Sequence, residues 1–228
     1  MTVFTRISRY LSIIVVMTTL IPSINSCSGD SIYPELEDGD LIFQANPGSR
    51  FVSAIEAVTE AGDSLMSFSH VGIIRRSHGG VYVIEATPEK GVSVTPIGEF
   101  LDSSAHDSLG CPLVRVMRYT GEDREKVCSR AIGIALSFLG KEYDFAFDPG
   151  PETFYCSELV HSSFVSDEGK PLFSSKPMTF KDSTGNTSPL WEDYYREKGK
   201  EIPEGAPGTN PNDMSREPSL TKVDVDFL

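Results

Sequence analysis

Ser69-His70-Val71-Gly72-Ile73-Ile74, Arg75-Arg76-Ser77-His78-Gly79-Gly80 and Val81-Tyr82-Val83-Ile84-Glu85-Ala86 follow one another without a gap. Two runs rich in β-branched residues flank a segment that closes on a glycine pair, the signature of a hairpin. With 75–80 as the loop, Ile74 faces Val81 and antiparallel pairing sets His70 directly opposite Glu85. Opposed side chains lie about 5 Å apart at Cβ and share a face. Any even-residue loop keeps them on one face, whereas an odd one separates them. The pattern therefore offers a histidine with a carboxylate behind it. The plainer reading makes His70 a satisfied histidine at a strand end and Glu85 an edge carboxylate in solvent. A charge near the end of so apolar a strand is costly unless paired, which favours the first reading.

Downstream stands Phe154-Tyr155-Cys156-Ser157-Glu158-Leu159-Val160. Cys156 falls at the start of a helix whose Leu159, Val160 and Phe164 lie on its own side. A helix N-terminus and a nearby imidazolium both favour a thiolate. The same helix end presents backbone N–H groups where a tetrahedral oxyanion would form. Tyr143 and Tyr155 are both candidates for a second donor, with Tyr143 preferred because the neighbour of a nucleophile tends to point away from it. His161 lies five residues along the helix, about 140° round the axis, and cannot serve as base. His78 and His106 fall in turn and loop segments. Asp38 with Asp40, and Asp144 with Asp148, read as turn residues. No cysteine pair has zinc spacing, so neither metal nor organic cofactor is expected.

Further elements surround this core. Residues 41–44 read as a strand entered through Asp38-Gly39-Asp40, 51–61 as a short helix, and 91–95 and 113–117 as strands. Thr120 with Asp123 resembles a capping box. Behind it Val127, Ala131, Ile134, Ala135 and Phe138 form one apolar stripe, and Gly140 suits a left-handed helix end. Strands first and helices around them indicate an α+β fold with a mostly antiparallel sheet. After residue 174 the chain is rich in Pro, Gly, Ser, Asn and charge. By composition 199–219 is flexible, but Pro189-Leu190-Trp191-Glu192-Asp193-Tyr194-Tyr195 suggests that part of the tail packs on the domain and lines a cleft.

The 228 residues suffice for one domain with a real core. A net charge of −13 repels phosphate backbones, which sets nucleic acid aside as a partner. Arg6 and Arg9 precede an apolar run, 11–21, too short to span a bilayer, and a small, polar segment ends at Ser26-Cys27. This is a signal peptide over 1–26. Cys27 resembles the processing site of a bacterial lipoprotein, where acylation would anchor the chain to a membrane. Ordinary secretion with a free Cys27 is the alternative. Residues 27–36 then form a tether, 37–195 the catalytic domain and 196–228 a C-terminal extension. Cys111 and Cys128 are left to pair with each other, or Cys128 is simply a buried apolar residue.

These residues resemble a known family. Asp40-Leu41-Ile42-Phe43 and His70-Val71-Gly72-Ile73-Ile74 are similar to strand motifs of the NlpC-type cell-wall peptidases, in the papain-like superfamily. Gly140-Lys141-Glu142-Tyr143-Asp144 and Tyr155-Cys156-Ser157-Glu158-Leu159-Val160 resemble their nucleophile segment. The histidine strand precedes the cysteine helix here, which resembles the circularly permuted branch, the YiiX/YaeF-like papain-like amidases. The lecithin–retinol acyltransferase type of that branch has a different cysteine motif. The resemblance implies a permuted papain-like fold with a curled antiparallel sheet, a partial barrel, packed against helices. It implies Cys156 as nucleophile, His70 as base and Glu85 as third residue. The expected protein is an exported, cell-envelope cysteine hydrolase that cleaves an amide through an acyl-enzyme. Its substrate would be a cell-wall peptide or an acylated, lipid-like amide. An acyltransferase using the same thioester and a non-catalytic binding lipoprotein remain as alternatives.

Overall fold

The structure, a computed structural model, describes residues 33–46, 66–77, 79–182 and 184–227. The segment proposed as signal peptide, Cys27 and the helix expected at 51–61 lie outside these residues. Six strands form one antiparallel sheet in the order β10-β5-β1-β2-β3-β4. They are β1 (Leu41–Gln44), β2 (His70–Ser77), β3 (Gly80–Thr87), β4 (Gly91–Pro96), β5 (Val114–Tyr119) and β10 (Leu220–Val223). β10 and β4 are the two edges, so the sheet is not closed, in keeping with a partial barrel. The fold class is α+β, as expected.

Strand alternation builds two cores. On one face Leu41, Phe43, Val71, Ile73, Ile84 and Ala86 meet α2 (Arg124–Ser137) and α3 (Cys156–Ser163). On the other, Ile42, Ile74, Val81, Val83 and Val116 meet α1 (Ile97–Asp102). α2 buries Val127, Cys128, Ala131, Ile132 and Ala135, so Cys128 and Ile132 replace Ile134 and Phe138 on the fully buried stripe. Thr120 caps nothing: Asp123 takes the N-cap position without a side-chain bond, and the Thr120 hydroxyl donates to the Ser219 carbonyl. Gly140 has φ +82, the left-handed conformation its position demands. Cys111, Cys128 and Cys156 are all free thiols.

The hairpin departs from its expected register. β2 and β3 pair Ile74 with Val83, Arg76 with Val81 and Ser77 with Gly80. The ladder runs on through Arg75–Ser77, so the connection shrinks to residues 78–79. Each partner moves two places, and Glu85 slides past the position opposite His70. Because two is even, both side chains stay on one face.

The C-terminal third is ordered by the rest of the molecule. α4 (Pro189–Glu197) buries Trp191 and Tyr195. Two-residue strands β8 (Lys176–Pro177) and β9 (Pro207–Gly208) pair, α5 (Pro211–Met214) follows, and β10 completes the sheet beside β5. Leu36, placed in a tether by the sequence reading, is buried, and Tyr33 packs against Phe227 with tilted rings, centroids 4.9 Å apart. An ionic cluster secures the first strand. Fully buried Asp40 accepts two bonds from Arg118, at 2.7 Å each, and Arg118 also pairs with Glu37 at 2.5 Å.

Candidate active site

Residues 142–156 bring the cysteine and Tyr143 together. The short parallel ladder of β6 (Glu142–Tyr143) and β7 (Thr153–Phe154) pairs Tyr143 with Phe154, two residues before Cys156. Tyr155 is the extended N-cap and Cys156 the first residue of α3. Glu158 accepts the Tyr155 N–H at 3.4 Å and the Gly150 N–H at 3.3 Å, bracing the helix start from inside. Burial pushes the Glu158 carboxyl up to about 7, although those two N–H donors oppose it. Leu159, Val160 and Phe164 are wholly buried and anchor the helix. Cys156 itself is buried, at the open end of the helix dipole.

His70 opens β2, and its Nε2 lies 2.6 Å from Glu85 Oε2. The pair forms on the diagonal of the ladder rather than straight across it. Burial alone would lower the His70 pKa; hydrogen bonds to Cys156 and Glu85, and the charge of both, reverse this and raise it to about 10. Both neighbours thus favour the protonated ring. With Nε2 engaged by Glu85, Nδ1 is the nitrogen left for the sulfur. Burial also pushes Glu85 up, but the bond and charge of His70 outweigh it and hold the carboxyl below its usual value. Phe100 of α1 packs against the imidazole, with centroids 5.8 Å apart.

Cys156, His70, Glu85 and Tyr143 line one cleft of about 1110 Å³. Burial, with the charge of Cys156 second, drives the Tyr143 pKa strongly upward, so its hydroxyl stays protonated and able to donate. The Tyr155 hydroxyl is used otherwise: it accepts the Thr209 N–H at 3.1 Å and ties the C-terminal segment to the cleft. Gln44, which pairs with His70 across β1 and β2, also lines the cleft, its amide donating to Phe100 O and Ser103 Oγ.

Other residues singled out in the sequence are elsewhere or structural. His161 is half-buried on α3, with burial lowering its pKa. His106 bridges to Pro112 in a loop. Asp38 accepts the Arg76 N–H, and Asp144 accepts those of Ala146 and Asp148. His78 lies outside the described residues. Among the described residues no three His, Cys, Asp or Glu side chains are grouped to hold a metal.

The sequence motifs missed most of the cleft's other wall. Phe145, Phe147, Met178, Phe180, Trp191 and Tyr194 all face the cleft from beyond the hairpin. Of these, only the aromatic run at 189–195 left a trace in the sequence.

Comparison with known proteins bears on this arrangement. The profile of the family described as permuted papain-like amidase enzyme, YaeF/YiiX, C92 family matches residues 35–224. The uncharacterized protein YiiX of Escherichia coli (strain K12) is 28% identical over 190 residues, covering 82% of this chain and 85% of that protein. A crystal structure described as the metalloprotein yiiX from Escherichia coli O157:H7 superposes with a TM-score of 0.65 at 26% identity, covering 85% of this chain and 99% of that one. The permuted order, the open antiparallel sheet and a profile match over most of the length agree, and the chain belongs to the YaeF/YiiX family of permuted papain-like amidases, a cysteine hydrolase-type family.

Proposed function

We propose that the protein is a cysteine amidase in which Cys156 is the nucleophile, His70 the general base and acid, and Glu85 the residue that orients and charges the ring. The observation that carries this is that Cys156, His70 and Glu85 line one cleft, with Glu85 2.6 Å from His70 and Cys156 near enough to help raise the His70 pKa.

The thiolate sulfur forms a bond to the amide carbonyl carbon, and the carbonyl electron pair moves onto oxygen. The Cys156 backbone N–H and the Tyr143 hydroxyl receive that oxyanion. The C–N bond then breaks and the amine leaves with the proton of the His70 imidazolium. Neutral His70 next takes a proton from water as its oxygen adds to the thioester. The C–S bond breaks, releasing the acid and restoring the thiolate–imidazolium pair. Glu85 keeps Nε2 occupied throughout, so Nδ1 remains the working nitrogen.

The protein acts in the cell envelope, held to a membrane through acylated Cys27; the charged, apolar and small-residue order of 1–27 supports this. Its substrates are cell-wall peptide amides or acylated amides presented at that surface. Mass spectrometry of the native amino terminus tests the anchor: a diacylated Cys27 is expected, and an unmodified mature chain counts against it. For the chemistry, Cys156→Ala should abolish turnover and remove the most iodoacetamide-reactive thiol at neutral pH. Undiminished turnover in Cys156→Ala overturns the mechanism.

A further inference from the structure

β4 carries a threonine where burial alone calls for a valine. Thr95 pairs with Val83 across the β3–β4 ladder and is only 5% exposed. Its Oγ1 is buried and makes no hydrogen bond of standard geometry among the described residues. A buried hydroxyl without a firm partner is destabilising, and a valine of nearly the same shape would avoid the cost. Such a group in a folded chain calls for a reason.

Register supplies one. Ser93 lies directly opposite Glu85, so Thr95, two residues on, shares the face of Glu85 and stands on its diagonal. Thr95 and Glu85 line the same cleft. Burial raises the Glu85 pKa; the bond and charge of His70 lower it, and hydrogen bonding to the Thr95 side chain lowers it further. His70 engages Oε2, which leaves Oε1 for a second donor. The backbone fixes where Thr95 points. Pro96 follows it, with φ −56, and a residue before proline is held extended. α1 begins at Ile97 and brings Phe100 against the imidazole. One short unit, the end of β4 and the start of α1, therefore reaches both members of the His70–Glu85 pair.

We infer that Thr95 is a positioning residue: its hydroxyl donates to Glu85, keeps that carboxylate ionised and aimed, and through it orients His70. This deepens the amidase reading and rests on it for the effect on turnover. Hydrogen bonds in an active site are often loose in the free enzyme and tighten on the substrate, as the geometry at Thr95 requires. The charged groups around Glu85 are His70 on β2, Lys90 in the β3–β4 turn and, beyond His70, Cys156 on α3. Glu99 of α1 faces Lys90 at 3.6 Å. None of them lies on β4, so a substitution at Thr95 leaves each in place.

Carbon-13 NMR of the full chain, labelled at the glutamate carboxyls, follows Glu85 directly, its signal identified by its absence from Glu85→Gln. Thr95→Val keeps the shape and deletes the donor, Thr95→Ser keeps the donor, and Ser93→Ala removes the hydroxyl straight across from Glu85. In Thr95→Val the Glu85 midpoint should rise by about one pH unit, the shift that corresponds to one lost hydrogen bond to a charged group. In Thr95→Ser and Ser93→Ala it should stay at the wild-type value. The acid-side fall of kcat/KM should begin about one pH unit higher in Thr95→Val and return to its wild-type place in Thr95→Ser. An unmoved Glu85 midpoint in Thr95→Val, a serine variant that titrates like the valine, or a moved midpoint with an unchanged kcat/KM profile each overturns the assignment. The carboxyl titration needs no turnover, so the two readings fail separately. A Cys156→Ala protein that still hydrolyses amide removes the nucleophile and leaves the Thr95–Glu85 result standing, and an unmoved midpoint removes Thr95 and leaves the nucleophile.

Discussion

Gly72 packs against Val83 and Glu85 of β3, so its lack of a side chain keeps the strands close where Glu85 reaches His70 at 2.6 Å. A Cβ placed on Gly72 would come 2.3 Å from Val83 Cγ1 and 3.4 Å from Glu85 Cβ. The carboxylate meets the imidazole on the diagonal of the ladder, beside this crowded position. Gly72→Ala should therefore cost about 1–3 kcal/mol through overpacking. It should also lower turnover more than its effect on folding accounts for. Urea denaturation alongside kcat measurement checks this, and an alanine variant with normal turnover would show that the glycine does not position the pair.

The charge of Glu85 is separable from its shape. Glu85→Gln keeps an acceptor near Nε2 but removes the anion that helps raise the His70 pKa to about 10. Imidazolium should then be lost at lower pH. In the wild type kcat/KM should hold until the pH nears 10 and fall above it; in Glu85→Gln that alkaline fall should begin at clearly lower pH. Superimposable alkaline limbs contradict the proposed role.

Stability should follow the same two groups with opposite sign. His70 is raised from 6.5 to about 10, so its contribution is complete below pH 6.5 and declines as pH rises through 10. Glu85 is lowered from 4.5, so its contribution is complete above 4.5 and disappears as pH falls through its lower folded value. Both are at full strength only between about 4.5 and 6.5. Denaturation midpoints measured from pH 3 to 11 should show the wild-type advantage over a His70→Ala, Glu85→Ala double variant largest in that window.

Tyr143 should matter to the transition state and little to ground-state binding. Tyr143→Phe keeps the ring and deletes the donor, and a lost oxyanion contact costs about 10²–10³ in kcat. KM should move little. A variant with unchanged kcat removes Tyr143 from the oxyanion site and leaves the backbone N–H of Cys156 as the donor.

Asp40 provides a control away from the chemistry. Fully buried and held by two bonds from Arg118, it cannot lose its carboxylate without leaving Arg118 to Glu37 alone among carboxylates. Asp40→Ala should destabilise by roughly 1–3 kcal/mol, since two charge-assisted bonds to a buried acceptor are lost. The kcat of the folded fraction should be unchanged.

Local pattern carried a large part of this structure. Strand alternation made the hairpin legible, and the spacing of Leu159, Val160 and Phe164 made the nucleophile helix legible, because both periods are set by covalent geometry. Parity survived even where register did not: the shift of β3 by two residues left His70 and Glu85 on one face. The Thr120 cap failed because its hydroxyl found the Ser219 carbonyl, 99 residues away, a partner that no local window contains. Composition alone also misdescribes the tail, which the aromatic run at 189–195 marks as packed. Residues 199–219 have the composition of a flexible segment, yet several of their partners are distant in the chain, among them the Tyr155 hydroxyl for the Thr209 N–H and the Met178 carbonyl for the Gly205 N–H.

The chain's own order of residues determined the α+β class, the cysteine at a helix start and the histidine at a strand start, since those depend on neighbours a few positions apart. Tertiary structure alone decided how His70 and Glu85, on the α1 face of the sheet, share a cleft with Cys156, whose helix packs on the opposite core, and that Phe145, Phe147, Met178 and Phe180 would join the tail's aromatic run in the cleft wall. Such meetings depend on sheet curl, on a two-residue register shift and on contacts spanning much of the polymer, and none of these has a period that can be read along one strand of text.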